Sequence, residues 1–352
     1  MQRNRSGIVR RFFLLVVCGM GLVGCTGGSV AQTDTAAPEW FVNPGDVYNE
    51  QEYLTAVAAG PSAQAAEDKA FGNLARVFEA DIEAQQQLRE DYREVQKGGD
   101  VTSSQQDTRL VTRSDVRSNQ KLLNAEVLER ATGDDTYYTL VGMKRQETVR
   151  IYSEEIRDNR GTVQEYRSSA EAAENPLTRL AFLQQALVLA QVNERLITQR
   201  NIVAGGTAPS TSAPPVAELR TAVREAQEDC PVAVETETAN MPTSVLDQVN
   251  ATLQTAGFRV VQAPDNAILR ATVAYRERPA LTSRDEEFLR WTLSIALTDR
   301  TTGQTLETFT TEQRAGAISK AAVQRRAHNA ARTAIEENFA AFLDRTLLNI
   351  DS

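Results

Sequence analysis

Residues 204–215, AGGTAPSTSAPP, hold no long apolar side chain and are dense in Gly, Pro, Ser and Thr, so no hydrophobic core can be continued through them. A chain of 352 residues, 41% of them hydrophobic, has apolar surface for more than one core. The break therefore predicts two folded parts, with residues 204–216 as the linker between them. Only 6% of residues are aromatic, so the cores are expected to be built from Ala, Leu and Val.

Ahead of the break, a strand over 53–58 runs into Gly60-Pro61, and the Ser62 hydroxyl is placed to cap a following helix. Ala66, Ala70, Leu74, Val77, Phe78 and Ile82 recur at steps of three and four, which predicts one buried stripe lying on a sheet. Two strands are expected over 123–130 and 137–143, joined by a hairpin loop at Thr132-Gly133-Asp134-Asp135. The order β-α-β-β over 38–143 is that of an α+β domain. Residues 144–173 then read as helical despite Gly161. Asn175-Pro176 restarts a helix, lined by Leu180, Leu183, Leu187, Ala190 and Leu196, with Pro in its first turn. Residues 144–203 are thus expected as a helical hairpin, either an arm for a partner or a pair packed on its own domain.

Beyond the break, PVAVETETA alternates as a strand does, and residues 243–256 form an amphipathic helix closed by Gly257. Strands follow over 258–262, 267–275, 288–298 and 306–311, the third with Trp291, Leu293, Ile295 and Leu297 on one face. Asp299 and Gly303 are read as turn formers, the carboxylate capping backbone amides and the glycine accepting positive φ. An Ala-rich helix over 319–347 ends a second α+β domain, 217–352. This hairpin and helix are similar to small sheet-and-helix modules of periplasmic assembly lipoproteins.

The amino terminus carries the clearest functional signal. A basic stretch, MQRNRSGIVRR, precedes an apolar stretch, FFLLVVCGMGLV, and then Gly24 and Cys25. The apolar run is too short to span a bilayer, which takes about 20 residues. Leu22-Val23-Gly24-Cys25 resembles the bacterial lipobox, whose cysteine receives a diacylglycerol before the signal is cut away. That resemblance implies a lipoprotein signal peptide over 1–24, lipidation of Cys25, and membrane attachment outside the cytoplasm. Each buried acyl methylene contributes about 0.8 kcal/mol, so three chains would hold the protein on a membrane without a transmembrane helix. Residues 25–37, polar and small, are expected to be a flexible tether. Thr26 follows the cysteine in place of an aspartate, which in enterobacterial sorting implies the outer membrane.

Other chemistry is sparse. The net charge of −9 becomes more negative once Arg3, Arg5, Arg10 and Arg11 leave with the signal, and no basic run is interleaved with aromatics, so nucleic acid is not an expected partner. After cleavage Cys25 and Cys230 are the cysteines left, which forbids an internal disulfide and a cysteine-based metal site. The single histidine, His328, is expected as a solvated residue of the last helix. No Ser-nucleophile elbow, Walker loop or dinucleotide fingerprint appears, and no cofactor, metal or catalytic residue is expected. Glu154-Glu155, Asp134-Asp135 and Asp285-Glu286-Glu287 would serve an enzyme only if two carboxylates met in a cleft.

Pro38-x-Trp40, a strand ending in an Ala/Gly turn, Ala66-x3-Ala70-x3-Leu74-Ala75 and a later Tyr-Thr-Leu-Val-Gly strand together resemble the LPP20-type lipoprotein domain. The flagellar assembly protein T has a similar amino-terminal domain. The resemblance spans roughly 38–200 and implies a fold more than a role. The expected protein is a noncatalytic, lipid-anchored envelope component that binds other envelope proteins or itself. A glycan- or peptidoglycan-acting enzyme with paired carboxylates, or a carrier of a hydrophobic ligand, is the alternative.

Overall fold

The computed structural model describes residues 37–78, 122–206, 216–280 and 287–350. Two short helices, α1 (Glu39–Val42) and α2 (Pro44–Val47), lead into strand β1 (Tyr53–Gly60) and helix α3 (Ala63–Arg76). The Ser62 hydroxyl accepts the Ala65 N–H at 3.2 Å, the cap its position predicts. Strands β2 (Glu126–Thr132) and β3 (Tyr137–Lys144) complete a three-stranded antiparallel sheet in the order β1-β3-β2. Ala66, Ala70, Leu74 and Phe78 of the expected stripe are buried. Val77 is 46% exposed because α3 ends one residue earlier, and Ile82 lies outside the described residues.

Helix α4 (Arg145–Ala172) starts directly where β3 stops, and Gly161 does not interrupt its 28 residues. Three residues later α5 (Pro176–Val203) begins, its Leu177 N–H donated to Asn175 Oδ1 at 2.8 Å. The foot of this hairpin packs on the first sheet: Tyr152 and Val203 share a core with Ala58, Leu74, Val141 and Met143. Arg145 fastens the foot, donating to the Glu50 carbonyl at 2.8 Å and to the Val203 carbonyl at 2.6 Å. The tip belongs to a different core. Val163, Ala170, Leu177, Leu183 and Leu189 are buried with residues of the second sheet. The hairpin is therefore a bridge between two cores and not a free arm.

The second sheet and its helices comprise α6 (Val216–Glu228), β4 (Val232–Thr236), α7 (Thr243–Thr255), β5 (Val260–Val261), β6 (Leu269–Pro279), β7 (Glu287–Asp299), β8 (Thr305–Ala317) and α8 (Lys320–Leu348). The sheet runs β5-β4-β6-β7-β8, parallel in its first three strands and antiparallel in the rest. On β7, Trp291, Leu293, Ile295 and Leu297 are wholly buried, as their alternation predicts, and α8 covers them. Gln185 of α5 donates to the Leu348 carbonyl at 2.9 Å, so the last turn of α8 is satisfied by the hairpin. Helix α6 is an element that the sequence reading did not assign, although Val216, Leu219, Val223 and Ala226, all buried, carry the helical period.

Candidate functional site

Two clusters of polar groups and one groove stand out. The first cluster surrounds Asp299 at the end of β7. The hydroxyl and the backbone N–H of Thr301 donate to its Oδ1 at 2.6 and 2.7 Å, and Asn175, in the turn of the helical hairpin, donates to Oδ2 at 3.0 Å. Burial alone would raise this carboxyl's pKa, but the donors from Thr301, Asn175 and Thr302 outweigh it and hold the group below its ordinary value. Gly303 closes the turn with φ +73°. Asp299 and Gly303 are turn formers as their spacing predicts. The same carboxylate also clamps the hairpin to the second sheet, a role with no local signal because Asn175 is 124 residues away.

The second cluster lies where α8 crosses β6. His328 Nε2 is 3.0 Å from Glu277 Oε1, the Tyr275 hydroxyl donates to the same oxygen at 3.2 Å, and Gln324 donates to Oε2 at 3.3 Å. The Tyr275 ring meets the His328 ring edge-on at 5.5 Å and stacks on Trp291 at 6.2 Å. Burial, reinforced by the Glu277 charge and its hydrogen bond, pushes the Tyr275 phenol well above its ordinary pKa. His328 is thus a half-buried partner of a carboxylate and not the solvated helix residue its neighbours in sequence predict. Glu277 accepts from Tyr275 and Gln324 and meets His328, which suits a latch between helix and sheet.

The groove, about 390 Å³, is lined by Arg167, Glu171, Arg179 and Glu218 over Leu183 and Leu219 where α4, α5 and α6 meet. Arg179 also approaches Asp229 at 3.6 Å. Glu171 and Glu218 are exposed, and their arginine neighbours make the groove a hydrated, charged surface. Ala170, Ala173 and Ala222 complete the lining, so the groove is an apolar floor with a charged rim.

Among the described residues, the carboxylates paired in sequence do not line this groove. Glu154 pairs with Arg150 at 2.9 Å on the outer face of α4. Asp134 and Asp135 sit in the β2–β3 turn, and Glu287 is exposed at the start of β7. Asp285 and Glu286 lie outside the described residues, as do Leu22, Val23, Gly24 and Cys25. Cys230 is buried, and burial pushes its thiol up to about 12, so it is unreactive at neutral pH. Among the described residues there is no group of three or more His, Cys, Asp or Glu able to hold a metal, and no helix long and apolar enough to cross a membrane.

No protein-family model matches the chain, and no curated protein matches it in sequence. Several solved structures resemble parts of it. The secreted protein HP1454 of Helicobacter pylori is 11% identical, with 83% of this chain and 97% of that one covered at a TM-score of 0.39. A minor lipoprotein of Acinetobacter baumannii is 17% identical, with 34% of this chain and 91% of that one covered at a TM-score of 0.24. PelC of Paraburkholderia phytofirmans, a dodecamer, is 19% identical, with 33% and 88% covered at a TM-score of 0.25. The chain is a mixed α+β protein that resembles bacterial lipoproteins and a secreted protein at low identity, and these likenesses assign it to no family.

Proposed function

We propose that this protein is a noncatalytic, lipid-anchored component of the bacterial envelope that works through protein–protein contacts. Residues 1–24 are its signal peptide, Cys25 its lipidated amino terminus, and residues 25–37 the tether that sets residues 38–352 off the membrane, with the outer membrane as the favoured address. The observation that carries this reading is Leu22-Val23-Gly24-Cys25 at the end of an apolar run behind four arginines. The LPP20-type pattern of residues 38–200 is consistent with it. A structural role is also favoured by the two polar clusters, because Asp299 and Glu277 are both occupied in holding one element to another.

The test is to express the wild type and Cys25→Ala in a bacterial host, label with a fatty acid analogue, and fractionate membranes. Label and membrane association in the wild type alone are expected. Label in neither, with both proteins free in the periplasm, would make the chain an ordinary secreted protein and remove the anchor.

A further inference from the structure

Strand β8 has 13 residues and, among the described residues, bonds to β7 alone, so its far side is a sheet edge roughly 40 Å long. Edges of this length are normally shortened, kinked by proline or studded with lysine. β8 contains neither Pro nor Lys. Which of its backbone groups face outward follows from β7. The Phe288 carbonyl accepts the Ala280 N–H at 3.0 Å, so even-numbered residues there turn their backbone groups toward β6 and odd-numbered ones toward β8. The facing residues of β8, 307, 309, 311, 313 and 315, are therefore spent on β7. Thr308, Thr310, Glu312, Arg314 and Gly316 present N–H and C=O to the outside. The Gly316 carbonyl is taken by Arg326 at 2.5 Å.

We infer that this edge pairs with the same edge of a second copy of the chain, antiparallel, with the twofold axis at Gln313. Outward-facing residues must meet outward-facing residues, so the axis falls on a residue and not between two, and the side chains select among the registers near the middle of the exposed stretch. Centring on 312 sets Glu312 against Glu312 of the second copy, and centring on 311 sets both charges against threonines. Centring on 313 sets Glu312 of each copy against Arg314 of the other, a charge pair made twice and directly opposite across strands. Both side chains are already placed: Glu312 is 3.3 Å from Arg290, and the Arg314 guanidinium lies 4.0 Å over the Phe288 ring. The same register brings Ile318, 85% exposed just past β8, beside Thr308 of the second copy. Each Glu312–Arg314 pair exchanges two backbone hydrogen bonds, and Arg326 limits the ladder beyond them. The pairing is independent of the lipid anchor.

Cysteine cross-linking on the full chain in detergent reads the register. Under mild oxidation Gln313→Cys is expected to give a covalent dimer at least tenfold above Thr311→Cys, Glu312→Cys and the parent chain with its own cysteines. Dimer through residue 311 or 312 instead would overturn the register. No dimer from any of the three, in variants that melt like the parent, would overturn the pairing. Sedimentation tests it without a new thiol. Because the Glu312 N–H points outward, Glu312→Pro leaves the β7–β8 ladder whole, removes a bond of each Glu312–Arg314 pair, and is expected to halve the mass of the parent dimer. Glu312→Arg is expected to do the same, and adding Arg314→Glu to restore the dimer. A parent that sediments as a monomer at 100 μM, or equal masses for parent and Glu312→Pro, would overturn the proposal.

Discussion

Asp299 holds the turn after β7 and the tip of the helical hairpin with one carboxylate, so its ionisation should be felt by the whole second core. Its folded pKa is depressed, so the stability it contributes is present in full above the ordinary carboxylate value of about 3.9 and is lost as pH falls through the folded value. Asp299→Asn is expected to cost about 1.5 to 3 kcal/mol near neutrality, and the gap from wild type should shrink below about pH 4 in urea denaturation. A gap that does not change with pH would contradict the account. At the second cluster, Glu277→Ala strands the donors of Tyr275, His328 and Gln324, whereas His328→Ala removes one donor and leaves the carboxylate two. The first is expected to cost about 2 kcal/mol and the second about 1, by thermal denaturation. The Ser62 and Asn175 caps and the Asp299–Gly303 turn are legible in sequence because their partners are within a few residues. His328 was not legible, because Glu277 is 51 residues away and only the packing of α8 on β6 brings them together.

At the scale of elements, two glycines make opposite predictions. Gly142 lies in the central strand β3, where an added Cβ would come within 2.8 Å of Leu128 Cδ1 and 2.9 Å of the Leu54 carbonyl oxygen. Because the backbone of β1 cannot yield, Gly142→Ala is expected to destabilise by about 1 to 3 kcal/mol. Gly161 sits in α4 with nothing within 4 Å of an added Cβ, so Gly161→Ala is expected to stabilise by about 0.5 to 1 kcal/mol. Melting of the two variants beside the wild type checks both signs. Sequence periodicity recovers β7 and α8 because one face of each is buried continuously. It stops β8 at residue 311, six short of its end at Ala317, because Glu312, Gln313 and Arg314 at the sheet edge are all exposed and leave no alternation to read. Helix α6 carries legible apolar spacing at Val216, Leu219, Val223 and Ala226, but it begins directly at the end of the Gly/Pro/Ser-rich break, which masks its start.

For the whole molecule, the hairpin decides how the protein unfolds. The foot of α5 is buried with the first sheet and its start with the second, so the two cores cannot separate without exposing one continuous helix. The two tryptophans report on them separately, Trp40 beside Phe41 near the first sheet and the wholly buried Trp291 in the second. Trp40→Phe and Trp291→Phe variants, each followed by its remaining indole, are expected to unfold at coincident urea midpoints; midpoints well apart would show that the hairpin does not couple the cores. Sequence indicates two helices here and leaves open whether they reach for a partner, since burial of Leu177 and Leu189 depends on where the second sheet docks.

The anchor at Cys25 underlies the proposed function, and intact mass spectrometry of the protein extracted from membranes reads it out. A chain that begins at Cys25, lacks residues 1–24, and carries the mass of a diacylglycerol on that cysteine with a further acyl group on its amine is expected. A mature chain that begins at any other residue, or one that begins at Cys25 with no added lipid, would contradict it.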